Sequence, residues 1–246
     1  MFYPMWSAKG GVGLSVTAAA LVVAQANLNG GALIIDIAGD VAPILGVRVP
    51  SGPGLNDWLE SKADTPGSLM HLSTDVGCSV RMIHSGTSAI WPHGRITDLL
   101  DAITALDLPV VIDCGQRPAG PPSSTVLLRG EVLSQVELRT SLVEHLCKAG
   151  RPILVTSPCY LALGRTLDVL MGQDRTRNAD DGSGAHGVIV VKDPGRALDA
   201  ADVESITQLR LLAEIERDPS VARTVDAGLF LRRQPRALIK KLESIE

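Results

Sequence analysis

The sequence predicts an α/β fold: a doubly wound, mostly parallel sheet with helices on both faces. Three observations carry that expectation. Short apolar runs bounded by turn residues recur along the chain, and several, such as Val110-Val111-Ile112 and Val188-Ile189-Val190-Val191, show no alternation. A strand that is apolar at consecutive positions needs cover on both faces, as strands inside parallel sheets have. Helical patterns fill the gaps between the runs, so the units alternate, and right-handed crossovers then place helices on both sides. Composition agrees. A chain of 246 residues, 45% hydrophobic and 20% charged, is long enough for one α/β domain with a sizeable core and is not disordered over most of its length.

The elements follow in order. Phe2–Ser7 is an apolar run halted by a glycine cluster, and residues 15–28 carry a helical pattern rich in Ala, Leu and Val. Leu33-Ile34-Ile35 marks a strand at Ala32–Asp36, and Ser79–His84 is a further strand. A helix is expected at 95–106, then a strand at Pro109–Asp113 and a helix at 132–148. Ile153-Leu154-Val155 places a strand at Pro152–Thr156, before a helix at 159–171. Strands at Val188–Lys192 and Leu209–Glu214 bracket a helix at 199–206, and a last helix covers 236–245. Gly115–Ser124, with Pro118, Pro121 and Pro122, reads as an irregular loop after a strand end, and polar, Gly-rich Asp174–Gly187 as a surface loop. There is no internal repeat or linker, so residues 1–246 form a single domain, with a basic amphipathic segment at about 228–246.

Charge and composition exclude several functions. Net charge is −4 and the isoelectric point near 5.7, so the chain is not a globally basic nucleic-acid binder, although a local basic patch is compatible. Seven aromatic residues are too few for platforms that stack single-stranded bases. Cys78, Cys114, Cys147 and Cys159 contain no C-x-x-C pair and read as buried thiols of a reducing compartment. His71, His84, His93, His145 and His186 lack metal-ligand spacing, and no G-x-S-x-G nucleophile elbow occurs. Residues 14–26 imitate a signal-peptide core, but Phe2-Tyr3-Pro4-Met5-Trp6 replaces the basic region such a signal needs. No stretch is long and apolar enough for a membrane span, and a cytoplasmic protein is expected.

The stretch Trp6-Ser7-Ala8-Lys9-Gly10-Gly11-Val12-Gly13-Leu14-Ser15-Val16 follows a strand and opens a helix. That is the setting of a phosphate loop. Glycines let the backbone curl until its N–H groups face phosphate oxygens, and the helix start adds unsatisfied N–H groups and a positive dipole end. Ser15 stands at the hydroxyl position that ligates Mg²⁺.

On these residues the chain resembles the ParA/MinD family of P-loop ATPases, whose deviant Walker A loop reads K-G-G-x-G-K-[ST]. Lys9, Gly10, Gly11, Val12, Gly13 and Ser15 match it. Leu33-Ile34-Ile35-Asp36 resembles the family's second strand, Val110-Val111-Ile112-Asp113 its Walker B strand, and Val188–Pro194 a later strand ending where adenine is held. The likeness spans most of residues 5–230. It implies ATP and Mg²⁺ as ligands, held by residues 9–16 and Pro194, with Ser15 on the metal and Asp113 reaching it through water. It also implies a nucleotide-sandwich homodimer, in which Lys9 reaches the partner's nucleotide; the alternative is that Lys9 is a solvated loop lysine.

Two departures bear on mechanism. Leu14 replaces the phosphate-binding lysine, and Asp36-Ile37-Ala38 replaces a D-x-D in which the second acid positions the attacking water. Asp40 is the nearest substitute for that acid, and serves only if the loop bends differently. Removing one partner of a buried, hydrogen-bonded charge pair costs roughly 2–5 kcal/mol. At about 1.4 kcal/mol per decade, affinity falls by roughly 30- to several-thousand-fold. Phosphoryl transfer relies on positioning and charge, so hydrolysis should suffer more than binding. Arg117 reads either as a contact to phosphate or a partner or as part of an ordinary strand-end loop.

The C-terminal segment sets Arg232, Arg233, Arg236, Lys240 and Lys241 against Glu243 and Glu246, with Leu238, Ile239, Leu242 and Ile245 in an apolar stripe. Three readings stand: the stripe packs on the domain, it lies on a membrane surface as in MinD-type proteins, or the cations meet DNA or an acidic partner as in ParA-type proteins. The leading expectation is a positioning protein with a degenerate nucleotide site, binding ATP weakly or without efficient hydrolysis. It would act by dimerisation and partner recruitment in cell division, chromosome partitioning or Tad/Flp pilus localisation, at the inner membrane face or the nucleoid. The alternatives are a slow but active ATPase using Lys9 and Asp40, and an ATP-dependent ligase or synthetase of the same superfamily.

Overall fold

The computed structural model describes residues 1–61, 67–88, 94–117, 135–174 and 185–245. Its centre is one eight-stranded sheet in the order β3-β4-β2-β5-β1-β6-β7-β8. The strands are β1 (Phe2–Ser7), β2 (Ala32–Asp36), β3 (Thr74–Gly77), β4 (Val80–Ile83), β5 (Val110–Gln116), β6 (Ile153–Thr156), β7 (Gly187–Lys192) and β8 (Leu211–Glu216). All neighbours run parallel except the edge pair β3 and β4. The doubly wound, mostly parallel architecture expected from the sequence is therefore present.

The unalternated runs explain the layers. Within β1, Tyr3 and Met5 enter one apolar cluster while Phe2 and Trp6 enter the other. Ile34 and Val111 face the first cluster, and their neighbours Leu33, Ile35, Val110 and Ile112 face the second. Each strand thus feeds two cores, and successive residues must both be apolar. The first core lies under α1 (Leu14–Asn29), α2 (Val41–Leu45), α10 (Phe230–Arg233) and α11 (Arg236–Leu242). The second lies under α3 (Leu55–Glu60), α4 (Ser68–His71), α5 (Ile96–Thr104), α6 (Gln135–Ala149), α7 (Tyr160–Asp174) and α8 (Ala200–Thr207). Between α8 and α10, α9 (Pro219–Asp226) contributes Val221 and Val225 to the rim of the first core.

The stretch that imitates a signal peptide is the central helix. Residues Ala18 to Ala24 of α1 have no exposed surface, because the sheet covers one side and α2 and α11 cover the other. A helix apolar all round belongs inside. Gly30 closes it in the left-handed conformation (φ 76°).

Several expected boundaries move. Strand β5 runs on through Gln116, so Gly115 and Gln116 belong to the sheet rather than to the loop. The edge strand β3 escapes sequence reading because its residues Thr74–Gly77 are mostly exposed and carry no apolar run. Helices α2, α3, α4 and α10 are too short to show a period, and α9 is a further helix that the sequence reading did not place. Helix α11 ends at Leu242, and β8 begins two residues later than expected, at Leu211. Asp174 ends α7 and Gly187 opens β7, while 175–184 of the expected loop lie outside the described residues, as do 118–124, 132–134 and His93. The four cysteines are free, and only Cys114 and Cys147 are buried; Cys78 and Cys159 are half-exposed. Among the described residues no helix is long and apolar enough to cross a membrane.

Candidate phosphate-binding site

Order reverses around β1: β2 and β5 lie on one side of it and β6 on the other. The crevice beyond the strand carboxyl ends at such a point is where open α/β sheets hold ligands. The loop from Ala8 to Gly13 leaves β1 there and turns into α1. Gly11 (φ 76°) and Gly13 (φ 93°) both need the left-handed region, which a side chain disfavours. Gly13 is the N-cap of α1 with no side chain capping it, and its carbonyl takes the amide and hydroxyl of Thr17 at 2.9 and 2.8 Å. The first N–H groups of the helix are thus left for an anion. Gly10 and Gly11 are exposed, Gly13, Ser15 and Val16 are half-buried, and Val12 is buried.

Leu14 does not face the cup as a polar residue would. It is 6% exposed and belongs to the core under α1. Lys9 folds back on its own loop, its Nζ donating to Gly10 O at 3.2 Å. Across the loop, Arg217 donates from Nη2 to Gly11 O at 3.0 Å and pairs through Nε with Asp193 Oδ1 at 2.7 Å. This bracket ties the phosphate loop to the segment after β7 that contains exposed Pro194.

The acids occupy two different situations. Asp113 ends the apolar part of β5, is wholly buried, and accepts from Gly115 N at 3.0 Å through Oδ1. Its Oδ2 has no hydrogen-bond partner among the described residues. Burial pushes its carboxyl up to about 6, opposed by the Ser15 hydroxyl and reinforced by the charge of Asp36. A buried, under-satisfied carboxylate oxygen near a serine hydroxyl at a helix start is what a divalent cation, or water on it, would satisfy. The residues present therefore fit Mg²⁺ with a phosphate: Ser15 and Asp113 would hold the ion, and the loop amides the anion. The ion would neutralise charge on the phosphates. No group of three or more His, Cys, Asp or Glu suited to hold a metal alone occurs among the described residues.

Asp36 is committed elsewhere. Its Oδ1 accepts from Gly39 N at 2.6 Å and its Oδ2 from Val41 N at 2.9 Å, so it shapes the turn into α2. Burial raises its pKa against these hydrogen bonds. Asp40 is exposed at the head of α2, and its charge reaches Asp36 and Asp113. Ala38, at the place of the second acid, donates its N–H to Asp113 O at 3.2 Å.

Arg117 is a brace. It is 6% exposed, pairs with Glu144 Oε1 at 3.1 Å and lies over the Trp6 ring at 5.5 Å, fixing the end of β5 to β1 and α6. The C-terminal cations Arg232, Arg233, Arg236, Lys240 and Lys241 are exposed, on helices α10 and α11 that pack against α1, α2, α9 and β8. The apolar stripe beneath them is spent: Leu238, Ile239, Leu242 and Ile245 are buried in the core with α1, and Gln25 donates to Ile245 O at 2.8 Å. Sequence reading missed Arg139, Gln116 and Arg217. Gln116 donates to Ala8 O at 3.4 Å, and Arg139 to Cys114 O at 3.1 Å. No local motif marks these residues; folding brings Gln116 and Arg217 to the loop and Arg139 to the end of β5.

No protein-family model and no curated protein sequence matches the chain. Solved structures do. A ParA-family ATPase from Chlorobium tepidum superposes with a TM-score of 0.72 at 17% identity, over 100% of this chain and 97% of that one. The septum site-determining protein MinD from Pyrococcus horikoshii, solved with Mg-ADP, gives 0.69 at 19% identity, over 99% and 93%. An ATP complex of a McdA variant from Cyanothece gives 0.60 at 17%, over 98% and 93%. With this sheet order, this loop and these superpositions over nearly the whole chain, the protein has the fold of the MinD and ParA ATPases.

Proposed function

We propose that the chain is a ParA/MinD-like positioning protein with a degenerate nucleotide site. It binds Mg-ATP weakly, hydrolyses it slowly or not at all, and acts through a homodimer that recruits a protein partner. The observation that carries this reading is the cup itself: Gly11 and Gly13 present the open start of α1, beside Asp113 Oδ2 and Ser15. The departures set its strength. Leu14 supplies no charge, and Ala38 no carboxylate to orient water. The solved MinD and McdA structures with Mg-ADP and ATP support nucleotide as the ligand. Cell division, chromosome partitioning and pilus localisation are the processes such a protein would serve.

The derivation is short. Loop amides and the α1 dipole take the inner phosphates. Ser15 and Asp113 would hold the metal, and the Asp36 turn keeps Ala38 over the end of β5. With no acid at 38, nothing at that place accepts the proton of an attacking water, so ATP is held longer than it is cleaved. The buried stripe of α11 favours an electrostatic contact through the exposed cations over insertion into lipid. Binding to DNA or an anionic surface should then fall steeply with salt.

Calorimetric titration of Mg-ATP into wild type and Leu14→Lys tests the cup. The variant should bind at least about tenfold more tightly. Undetectable heat in both would overturn the nucleotide reading. Phosphate release from wild type, Lys9→Ala and Asp40→Ala should all stay at background; release that depends on Lys9 and Asp40 would establish the slow ATPase instead.

A further inference from the structure

Ala38 and Gly115 leave a space at the head of β5, and Arg139 of α6 fills it. Its Nη2 donates to Cys114 O at 3.1 Å. A Cβ on Gly115 would lie 2.5 Å from that Nη2 and 3.2 Å from the Ala38 Cβ, so Gly115 separates the guanidinium from Ala38 by no more than the room of one side-chain carbon. Arg139 is half-buried, and its hydrogen bond among the described residues is to a carbonyl. No carboxylate among the described residues pairs with it. A guanidinium has five N–H donors in a planar fork suited to phosphate, and a cation drawn partly out of water without a counter-charge is costly.

Its position is beside the candidate site. Asp113, Cys114 and Gly115 are consecutive, and Gln116 reaches Ala8 of the phosphate loop. Ser15 and Asp113 would hold a metal that neutralises phosphate charge beside the end of β5. The terminal phosphate would then extend from the start of α1 toward the end of β5. An aspartate at 38 would sit beside the guanidinium and neutralise it; alanine leaves the charge available.

We propose that Arg139 is the cation that contacts the terminal phosphate of the bound nucleoside triphosphate, in place of the lysine that Leu14 replaces; this rests on the nucleotide reading above. Charge is thus supplied to the cup from α6 instead of from α1. The chain would accordingly distinguish ATP from ADP through a residue outside its glycine-rich loop.

The test is equilibrium dialysis of the full chain with Mg-ATP and Mg-ADP, in wild type, Arg139→Gln and Arg139→Lys. Wild type should prefer ATP. Arg139→Gln should weaken ATP roughly tenfold or more and ADP by less than about threefold, collapsing the preference. Arg139→Lys, which keeps charge and bulk, should recover part of it. Equal loss for both nucleotides, as a merely structural arginine would give, overturns the proposal, as does unchanged ATP binding in Arg139→Gln. Wild type binding neither nucleotide would instead bring down the nucleotide reading itself, and this proposal with it.

Discussion

Asp113 is a carboxylate held inside the protein with one oxygen unserved. Such an atom costs roughly 1–3 kcal/mol while it waits for a ligand. Asp113→Asn should therefore raise the stability of the metal-free protein by about 1–2 kcal/mol in urea unfolding at neutral pH, and abolish any Mg²⁺ dependence of ATP binding. Lower stability in the variant would mean that the carboxylate is structural. Leu14 is the converse case, an apolar side chain at a position that serves phosphate in the resembled loop, buried at 6% exposure where it adds to the core. These identities were legible in the sequence. What the sequence did not show is that both Asp36 oxygens are taken up by backbone amides, which leaves Asp36 a turn-maker.

Among the elements, α3 shows how a short helix is held. Asp57 is only partly shielded, and burial works to raise its pKa, but it accepts from Gly54 N at 2.7 Å, Thr87 N at 2.9 Å and Thr87 Oγ1 at 2.8 Å. These hydrogen bonds prevail and hold its carboxyl down at about 2. A folded pKa below the unfolded value gives stability that is complete above about pH 4 and is lost as pH falls toward 2. Asp57→Asn should thus unfold more easily than wild type at pH 7, by a margin that shrinks between pH 4 and pH 2 in urea titrations. A margin independent of pH would exclude the charge as its source. Helix α11 makes the other point. Leu242 has no exposed surface, and Leu242→Ala should cost about 2–5 kcal/mol in the same assay. Its amphipathic stripe was visible in the sequence, but a stripe reads alike whether it meets lipid or a neighbouring helix. Only the packing against α1 separates the two.

At the scale of the whole molecule, the site exists because strands distant in sequence end side by side. Asp36 and Asp113 are partners across β2 and β5, and Ser7 faces Gln116 across β1 and β5. If the homodimer forms over ATP with Lys9 reaching the partner's nucleotide, sedimentation with a non-hydrolysable ATP analogue should show wild type as a dimer and Lys9→Ala as a monomer. Equal dimerisation in both would make Lys9 a loop lysine, as its bond to Gly10 O already allows.

By itself the sequence determined the class of fold and the place of the glycine turn between β1 and α1. Unalternated apolar runs can be satisfied only between two layers, and a glycine cluster between strand and helix has few other uses. It also placed β1 and β2 to the residue, because turn residues bound those runs sharply. Tertiary structure alone decided the edge strand β3, the burial of the C-terminal stripe, the approach of Gln116 and Arg217 to the loop, and that of Arg139 to the end of β5. These depend on contacts between residues far apart in the chain, which local periodicity does not encode.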